Sequence, residues 1–266
     1  MSEHILEQVK ALVLEASKFC DKEQLAIYSK GGNSNFVTTA DLNVEAYLKE
    51  KLPPLLPGSC FIGEESADND YNHEYLWIVD PIDGTSNFIR ELNLSAISVG
   101  LVHNNEPILG VVYNPFTKDM YSAKKGQGAY LNGNPIHVSE RDFSHGHFCT
   151  AFSLYKKELA PPCFRILERV YKECDDVRRL GTAALELCTL AAGSTELYFE
   201  IRLFPWDYSG ALAILKEAGG YYGIPSEQTK ESALFKGPSP LVAANSKESF
   251  DKLFQIVSEE LTNPSP

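Results

Sequence analysis

Apolar residues recur at spacings of three and four from His4 to about Ala26, where Ile5, Val9, Leu12, Val13, Ala16 and Phe19 form one stripe, and this predicts an amphipathic helix. The segment KGGNSNFVTTAD (Lys30 to Asp41) begins as a Gly, Asn and Ser loop and runs into a second helical pattern, with Thr38 or Thr39 as cap and Asp41 in the first turn. Pro53 and Pro54 require that helix to stop before them. CFIGEES, LWIVDPIDGT, SAISVGLV and ILGVVYNP then give short apolar or alternating runs broken by turn residues, a pattern of strands in mixed hairpins that GQGAYLNGNPIHVS continues with its Gly and Asn-Gly turns. From Phe164 the pattern changes: FRILERVYKE and GTAALELCTLAAG read as helices, ELYFEIRLFPWD as a strand, and YSGALAILKEAGG as a helix ending at Gly219 and Gly220. LVAAN as strand and SKESFDKLFQIVSEEL as helix close the chain, with TNPSP as a frayed tail. The sum is an α/β protein with helices and strands in layers.

Composition narrows what such a protein can do. With 266 residues, 44% hydrophobic and 23% charged, the chain is long enough for a sizeable core. A formal charge of -12, from 36 acidic against 24 basic residues, argues against a nucleic-acid polymer as partner, because a phosphate backbone needs a basic footprint. The six cysteines show neither a CxxC pair nor a zinc-type spacing, so they read as reduced core residues. SEHILEQVK lacks the basic start and apolar run of a signal peptide, and no stretch has the length to cross a bilayer, which predicts a cytoplasmic enzyme with no membrane partner.

The chemistry concentrates in acidic residues. LWIVDPIDGT predicts a buried strand whose end presents Asp80 and Asp83 around Pro81 and before Gly84. Two carboxylates held close repel each other unless a proton or a metal intervenes, which points to a hard divalent cation bound through oxygen. Thr85 adds a hydroxyl, Gly84 permits close backbone approach, and a helical turn beginning at Thr85 would offer free N–H groups to a phosphate. A solvated Asp-Gly turn gives the same local pattern. GEES (Gly63 to Ser66) sets Glu64 and Glu65 at the end of another strand, where most such pairs are simply solvated. In PWD, Asp207 opens an apolar helix, where an ordinary N-cap gives the same residue. Asp41 likewise suits any helix's first turn on electrostatic grounds.

In this order, KGGNSNFVTTAD, FIGEES, WIVDPIDGTSNF, GVVYNP, GQGAYLNG, GTAALELC and FPWDYSGALAILKEAGG resemble the inositol monophosphatase family over nearly the whole chain. The resemblance implies alternating helix and sheet layers, an αβαβα sandwich forming one catalytic unit over 1–266, with approximate lobes 1–140 and 141–266. It also implies a homodimer acting on a small phosphorylated metabolite with two or three Mg²⁺ ions that Li⁺ can inhibit. By position, Glu64, Asp80 and the Ile82 carbonyl would hold one metal, and Asp80, Asp83 and Asp207 a second. Asp41 and Thr85 match the pair that orients and deprotonates the attacking water, while Glu64 also helps hold a weaker third ion near Glu65 and the Lys30 loop. Gly84 and Thr85 match backbone donors to the phosphate. Glu200 matches an acceptor for sugar or inositol hydroxyls, with Gly181 to Ala183 as the opposing helix start.

Departures from the family pattern fall on the substrate side. Arg202 stands where animal members carry a small residue, and either reaches a second phosphate or pairs with a nearby acid. RELN (Arg90 to Asn93) replaces an HGFP-like stretch, and LFP replaces a histidine-containing one. His145 and His147 are soft partners for a hard ion, Lys124 and Lys125 read as a solvated turn, and Ser153 has no evident histidine and acid partners for a serine hydrolase. Glu200 and the likeness of the C-terminal half imply inositol monophosphate as the substrate, with fructose 1,6-bisphosphate second because of Arg202, and histidinol phosphate and a 3′(2′),5′-bisphosphate nucleotide as further alternatives. An aspartyl-phosphate route would want a DxDxT near the N-terminus, whereas Asp80 and Asp83 are three apart and well inside the chain. A binding or regulatory module with vestigial catalysis is the reading from outside the enzymes.

Overall fold

The computed structural model describes residues 4–21, 25–30, 36–153, 156–225 and 234–262. The N-terminal stripe becomes α1 (Ile5–Ala16), with Ile5, Val9, Val13 and Ala16 buried. It stops earlier than its periodicity suggests, tightening into a 3-10 turn at Ser17–Cys20, and the tighter winding rotates Phe19 off the buried face to 41% exposure. A short antiparallel pair, β1 (Ile27–Ser29) and β2 (Phe36–Thr38), flanks residues 31–35, so the expected Gly, Asn and Ser loop lies outside the described residues. Thr38 caps α2 (Thr39–Lys51) by accepting from the Ala40 and Asp41 N–H groups, and the helix ends before Pro53 as expected.

The strand-rich stretch folds into one seven-stranded sheet in chain order: β3 (Cys60–Gly63), β4 (Tyr75–Asp83), β5 (Ala96–His103), β6 (Glu106–Asn114), β7 (Asp119–Lys124), β8 (Ala129–Leu131) and β9 (Asn134–Ile136). Its pairs are antiparallel except β3 with β4, and a short helix, α3 (Thr85–Ile89), follows β4. Asn132 and Gly133, both at positive φ, form the two-residue turn between β8 and β9 that the Asn-Gly pair predicts. Downstream lie β10 (His147–Ala151), α4 (Ala160–Tyr171), β11 (Asp176–Arg178), α5 (Ala183–Ala191), β12 (Leu197–Leu203), α6 (Pro205–Glu217), β13 (Tyr221–Gly223), β14 (Ser239–Ala244) and α7 (Lys247–Thr262). Their strands make a five-stranded sheet ordered β11-β10-β12-β14-β13. β10, β11 and β13 escape the sequence pattern because runs of three to five residues are shorter than any periodicity can resolve. α4 starts at Ala160 rather than Phe164, since Pro161 and Pro162 fit a first turn whose N–H groups have no helical partner.

The layers follow from alternation in buried strands. In β4, Trp77 and Val79 join the core under α1 and α2, while Leu76 and Ile78 join the opposite core with α5 and α6. A third core, including Phe199, Val242, Ile166 and Leu253, lies between the five-stranded sheet and α4 with α7. The order is thus helix, sheet, helix, sheet, helix, the alternating layers that the family resemblance implied. α6 presses close on the sheet at a glycine contact: a Cβ on Gly110 would lie 2.0 Å from the Gly210 carbonyl oxygen. Cys20, Cys149, Cys163 and Cys188 are buried free thiols, but Cys60 and Cys174 are only half-buried. Lys124 is buried at the end of β7 rather than solvated. Among the described residues no helix is long and apolar enough to cross a membrane.

Candidate active site

Three elements and one turn deliver the carboxylates. Asp41 and Asp207 occupy the same place in their helices, the third position, rather than the N-cap that Asp207's sequence context suggests. Each turns one oxygen back to the N–H of the residue before its helix, Asp41 to Thr38 at 2.8 Å and Asp207 to Phe204 at 2.7 Å. Asp41 directs its other oxygen to the Thr85 hydroxyl at 3.3 Å, and that hydroxyl also lies 3.0 Å from the Ile82 carbonyl. Asp80 and Asp83, three apart, would face opposite sides of a regular strand. The β4–β5 register shifts between them, and this irregularity brings both into one cleft. Asp80 Oδ1 accepts the Ile82 N–H at 3.0 Å, and Asp83 Oδ2 accepts the Thr182 hydroxyl and, at 2.7 Å, the Ala184 N–H.

Glu64 and Glu65 sit in the turn after β3, held by a residue that the sequence pattern did not single out. The buried Glu45 of α2 accepts the Glu65 N–H and the Ser66 hydroxyl, both at 2.8 Å. Lys30 donates to Glu64 Oε1 at 3.1 Å and to Glu65 Oε1. The turn is therefore clamped from both sides.

Burial dominates the electrostatics. Asp41, Asp80 and Asp83 are 0%, 2% and 8% exposed. Loss of water pushes Asp41 up to about 6, against the hydrogen bonds from Thr38, and Asp83 up to about 6, against those from Thr182 and Ala184. Burial also raises Asp80 well above the carboxylate range, with repulsion from Glu64, Asp83, Asp207 and Asp41 added. Asp207 rises for the same reason, with Asp83 and Glu64 as its largest repulsions. Burial lifts Glu65 to about 7. For Lys30 burial acts against the charge, yet Glu64 and Glu65 outweigh it and hold its ammonium above the ordinary value. Among the described residues no three acidic, His or Cys side chains close into a finished ligand set. The donor chemistry nevertheless fits a hard divalent cation, whose charge would offset these crowded, desolvated, mutually repelling carboxylate oxygens.

The cleft has a volume of about 390 Å³. On its floor Gly84, at φ +83, precedes α3, where a Cβ would lie 3.0 Å from the Leu94 carbonyl oxygen. Across from it, Gly181 and Thr182 lead into α5; Glu186 Oε1 accepts the Leu180 and Gly181 N–H groups, and Asn87 Nδ2 donates to the Leu94 and Leu180 carbonyls at 2.9 and 2.8 Å. Glu200 and Arg202 line the cleft from β12, as does the buried Leu203 past the register shift between Glu200 and Leu203, while Ile201 joins the core under α4 and α7. Burial, then repulsion from Glu186, lifts Glu200 to about 8, and the Tyr198 hydroxyl donates to it at 3.1 Å.

Of the residues singled out from sequence, Lys30, Glu64, Asp80, Ile82, Asp83, Gly84, Thr85, Gly181, Ala183, Glu200, Arg202 and Asp207 all line this cleft. Asp41 stands behind Thr85, and Glu65 behind Lys30. Ser153 also lines it, and Arg202 lies over the Phe204 ring and, among the described residues, pairs with no acid. Sequence reasoning missed Arg179, Trp206, Phe36 and Phe152 in the lining. Arg179 had one available signal, its place two residues before the glycine that opens GTAALELC.

A sequence profile of the inositol monophosphatase family matches residues 2–262. A "Fructose-1,6-bisphosphatase/inositol-1-monophosphatase" of Aquifex aeolicus is 34% identical over 229 residues, which is 86% of this chain and 84% of that protein. The "Nus factor SuhB" of Escherichia coli K12 is 36% identical over 194 residues, 72% of this chain and 73% of that one. The solved inositol monophosphatase of Anabaena (Nostoc) sp. PCC 7120 superposes with a TM-score of 0.82 at 27% identity, covering 97% of this chain and 96% of its own. Sequence and fold agree over nearly the full length, so the chain belongs to the inositol monophosphatase family and is a phosphatase that hydrolyses phosphomonoesters.

Proposed function

We propose that this phosphatase hydrolyses a small soluble phosphomonoester with Mg²⁺ as cofactor, inositol monophosphate first among its substrates, by direct attack of water. The observation that carries the reading is the convergence of acidic side chains from four separated segments, at Asp41, Glu64, Asp80 with Asp83, and Asp207, beside one cleft. Glu64, Asp80, the Ile82 carbonyl, Asp83 and Asp207 would hold two ions, with Glu65 near a third. Bound there, Mg²⁺ supplies positive charge to the phosphate oxygens, to the attacking water and to the leaving oxygen. The chain's own part is orientation and proton transfer. Thr85 and Asp41 hold the attacking water and take its proton, a task suited to a carboxyl raised to about 6, and Glu64 assists them. The first N–H groups of α3, after Gly84, face no helical carbonyl and are available to the phosphate. Glu200, with Gly181 and Ala183 opposite, receives the hydroxyls of the leaving polyol.

Fructose 1,6-bisphosphate is the second reading, favoured by the two arginines in the lining and by the paired activities in the name of the Aquifex relative. Histidinol phosphate and a 3′(2′),5′-bisphosphate nucleotide complete the set. Phosphate release from these esters, assayed with Mg²⁺ and with and without Li⁺, tests the reading. Fastest turnover of inositol monophosphate, abolished by chelation and inhibited by Li⁺, supports it; turnover insensitive to chelation refutes it. Rapid-quench detection of a phosphorylated protein would replace direct attack with an aspartyl-phosphate route. The homodimer that belongs with this reading is checked by sedimentation.

A further inference from the structure

We infer that Glu186 is a positioning residue of this phosphatase: by holding the turn 180–182 it sets the rotation of the Asp83 carboxylate, and through it the affinity of the cleft for its ions. The inference rests on the placement of Asp83 among the ion ligands above. α5 begins without a cap of its own. Thr182 stands at its N-cap, yet the Thr182 side chain makes no capping bond and its hydroxyl donates to Asp83 Oδ2 instead. The same oxygen accepts the Ala184 N–H at 2.7 Å, so a carboxylate from the end of β4 caps a helix more than ninety residues downstream. Asp83 therefore takes its orientation from the start of α5, and that start takes its own from Glu186.

Glu186 reaches back from the first turn of α5 and accepts two backbone donors on one oxygen, Oε1, from Leu180 and, at 3.1 Å, from Gly181. Asn87 of α3 donates to the Leu180 carbonyl at 2.8 Å, so this residue is gripped through both of its backbone polar groups. The turn also packs on the residue that follows Asp83: a Cβ on Gly84 would lie 3.2 Å from the Thr182 Cβ and 3.3 Å from the Gly181 carbonyl oxygen. A shift of the turn is thus carried directly to the end of β4. Glu186 itself is fully buried, and among the described residues its Oε2 has no hydrogen-bond partner. Burial lifts its carboxyl to about 7 against the bonds from Leu180 and Gly181, with repulsion from Asp83 added. An acid buried with one oxygen unpaired opposes folding, which leaves geometry rather than net stability as its contribution.

Calorimetric titration of the metal-free protein with Mg²⁺ tests this without turnover, in the wild type, E186A, E186Q, T182V and E186A/T182V. E186A releases the Leu180 and Gly181 N–H groups, and we expect its Mg²⁺ dissociation constant to rise about tenfold. E186Q keeps an acceptor oxygen for both groups and should recover most of that loss. T182V breaks the bond to Asp83 directly, so adding E186A to it should weaken Mg²⁺ binding no more than about twofold further, since both changes act along one path. Unchanged Mg²⁺ affinity in E186A, with any effect confined to urea unfolding, overturns the inference while leaving the ion-site reading intact. Losses that multiply in the double variant, or an E186Q no better than E186A, overturn it equally. Should E186A fail to fold, E186D keeps the charge but falls one methylene short of the turn and gives the same readings. A wild type that takes up no Mg²⁺ overturns the ion-site reading together with the inference.

Discussion

Replacing Asp83 by Asn separates the stability of this site from its chemistry. The amide keeps the shape, and its carbonyl oxygen can still accept from Thr182 and from the Ala184 N–H, but the charge is gone. In the metal-free protein that charge opposes folding. Asp83 rises from an ordinary carboxylate value to about 6, mainly through burial, which corresponds to roughly 3 kcal/mol against the ionised fold. The sign follows from proton binding. Below the ordinary value both folded and unfolded chains are protonated and the wild type carries no penalty; between that value and about 6 the unfolded chain ionises while the folded carboxyl keeps its proton, so stability is lost across that window and the full penalty remains above it. D83N in EDTA should therefore match the wild type near pH 4 and exceed it by up to about 3 kcal/mol at pH 8. Magnesium should reverse the order, because an ion at ~100 times its dissociation constant stabilises the wild type by about 2.7 kcal/mol and the variant by less. Turnover should fall more than ~100-fold in the variant. Urea unfolding at both pH values, with EDTA and with Mg²⁺, reads all of this except turnover. A variant less stable than the wild type in EDTA at pH 8, or equally stabilised by Mg²⁺, refutes the reasoning.

Three further changes probe separate parts of the cleft. T85A removes the hydroxyl between Asp41 and the Ile82 carbonyl, and kcat should drop ~100-fold with Mg²⁺ dependence of melting retained; an unchanged kcat removes Thr85 from proton transfer. E45A leaves the Glu65 N–H and the Ser66 hydroxyl without their acceptor, so we expect a loss of about 2 kcal/mol by urea unfolding and a higher Mg²⁺ requirement, and a normal Mg²⁺ titration would limit Glu45 to packing. E200Q should raise KM for inositol phosphates about tenfold more than for an aryl phosphate, and equal changes would show that Glu200 does not read hydroxyls.

Sequence periodicity and turn chemistry determined much of this protein by themselves. The stripe of α1 and the cap at Thr38 are local properties written in neighbouring residues, as is the Asn-Gly hairpin, and the order of the metal-site motifs identified the family. Residue type marked the acidic motifs but left each an ordinary local role, and the family resemblance joined DPIDGT, GEES and PWD into one cluster. Tertiary structure decided the rest. The shift in register that turns Asp80 and Asp83 to one side arises from pairing between β4 and β5, and no count along the chain reveals it. Asp207 reads locally as a cap and acquires its neighbours only because α6 sits against the sheet at Gly110. Glu45 carried no chemical signal, since a helical glutamate usually faces water, and Arg179 carried only its place before GTAALELC; one is buried under the Glu64 turn and the other lines the cleft through contacts between segments far apart in sequence. Local order is set by interactions within a few residues, which a sequence displays, whereas a site is set by distances between segments, which only the packed layers fix.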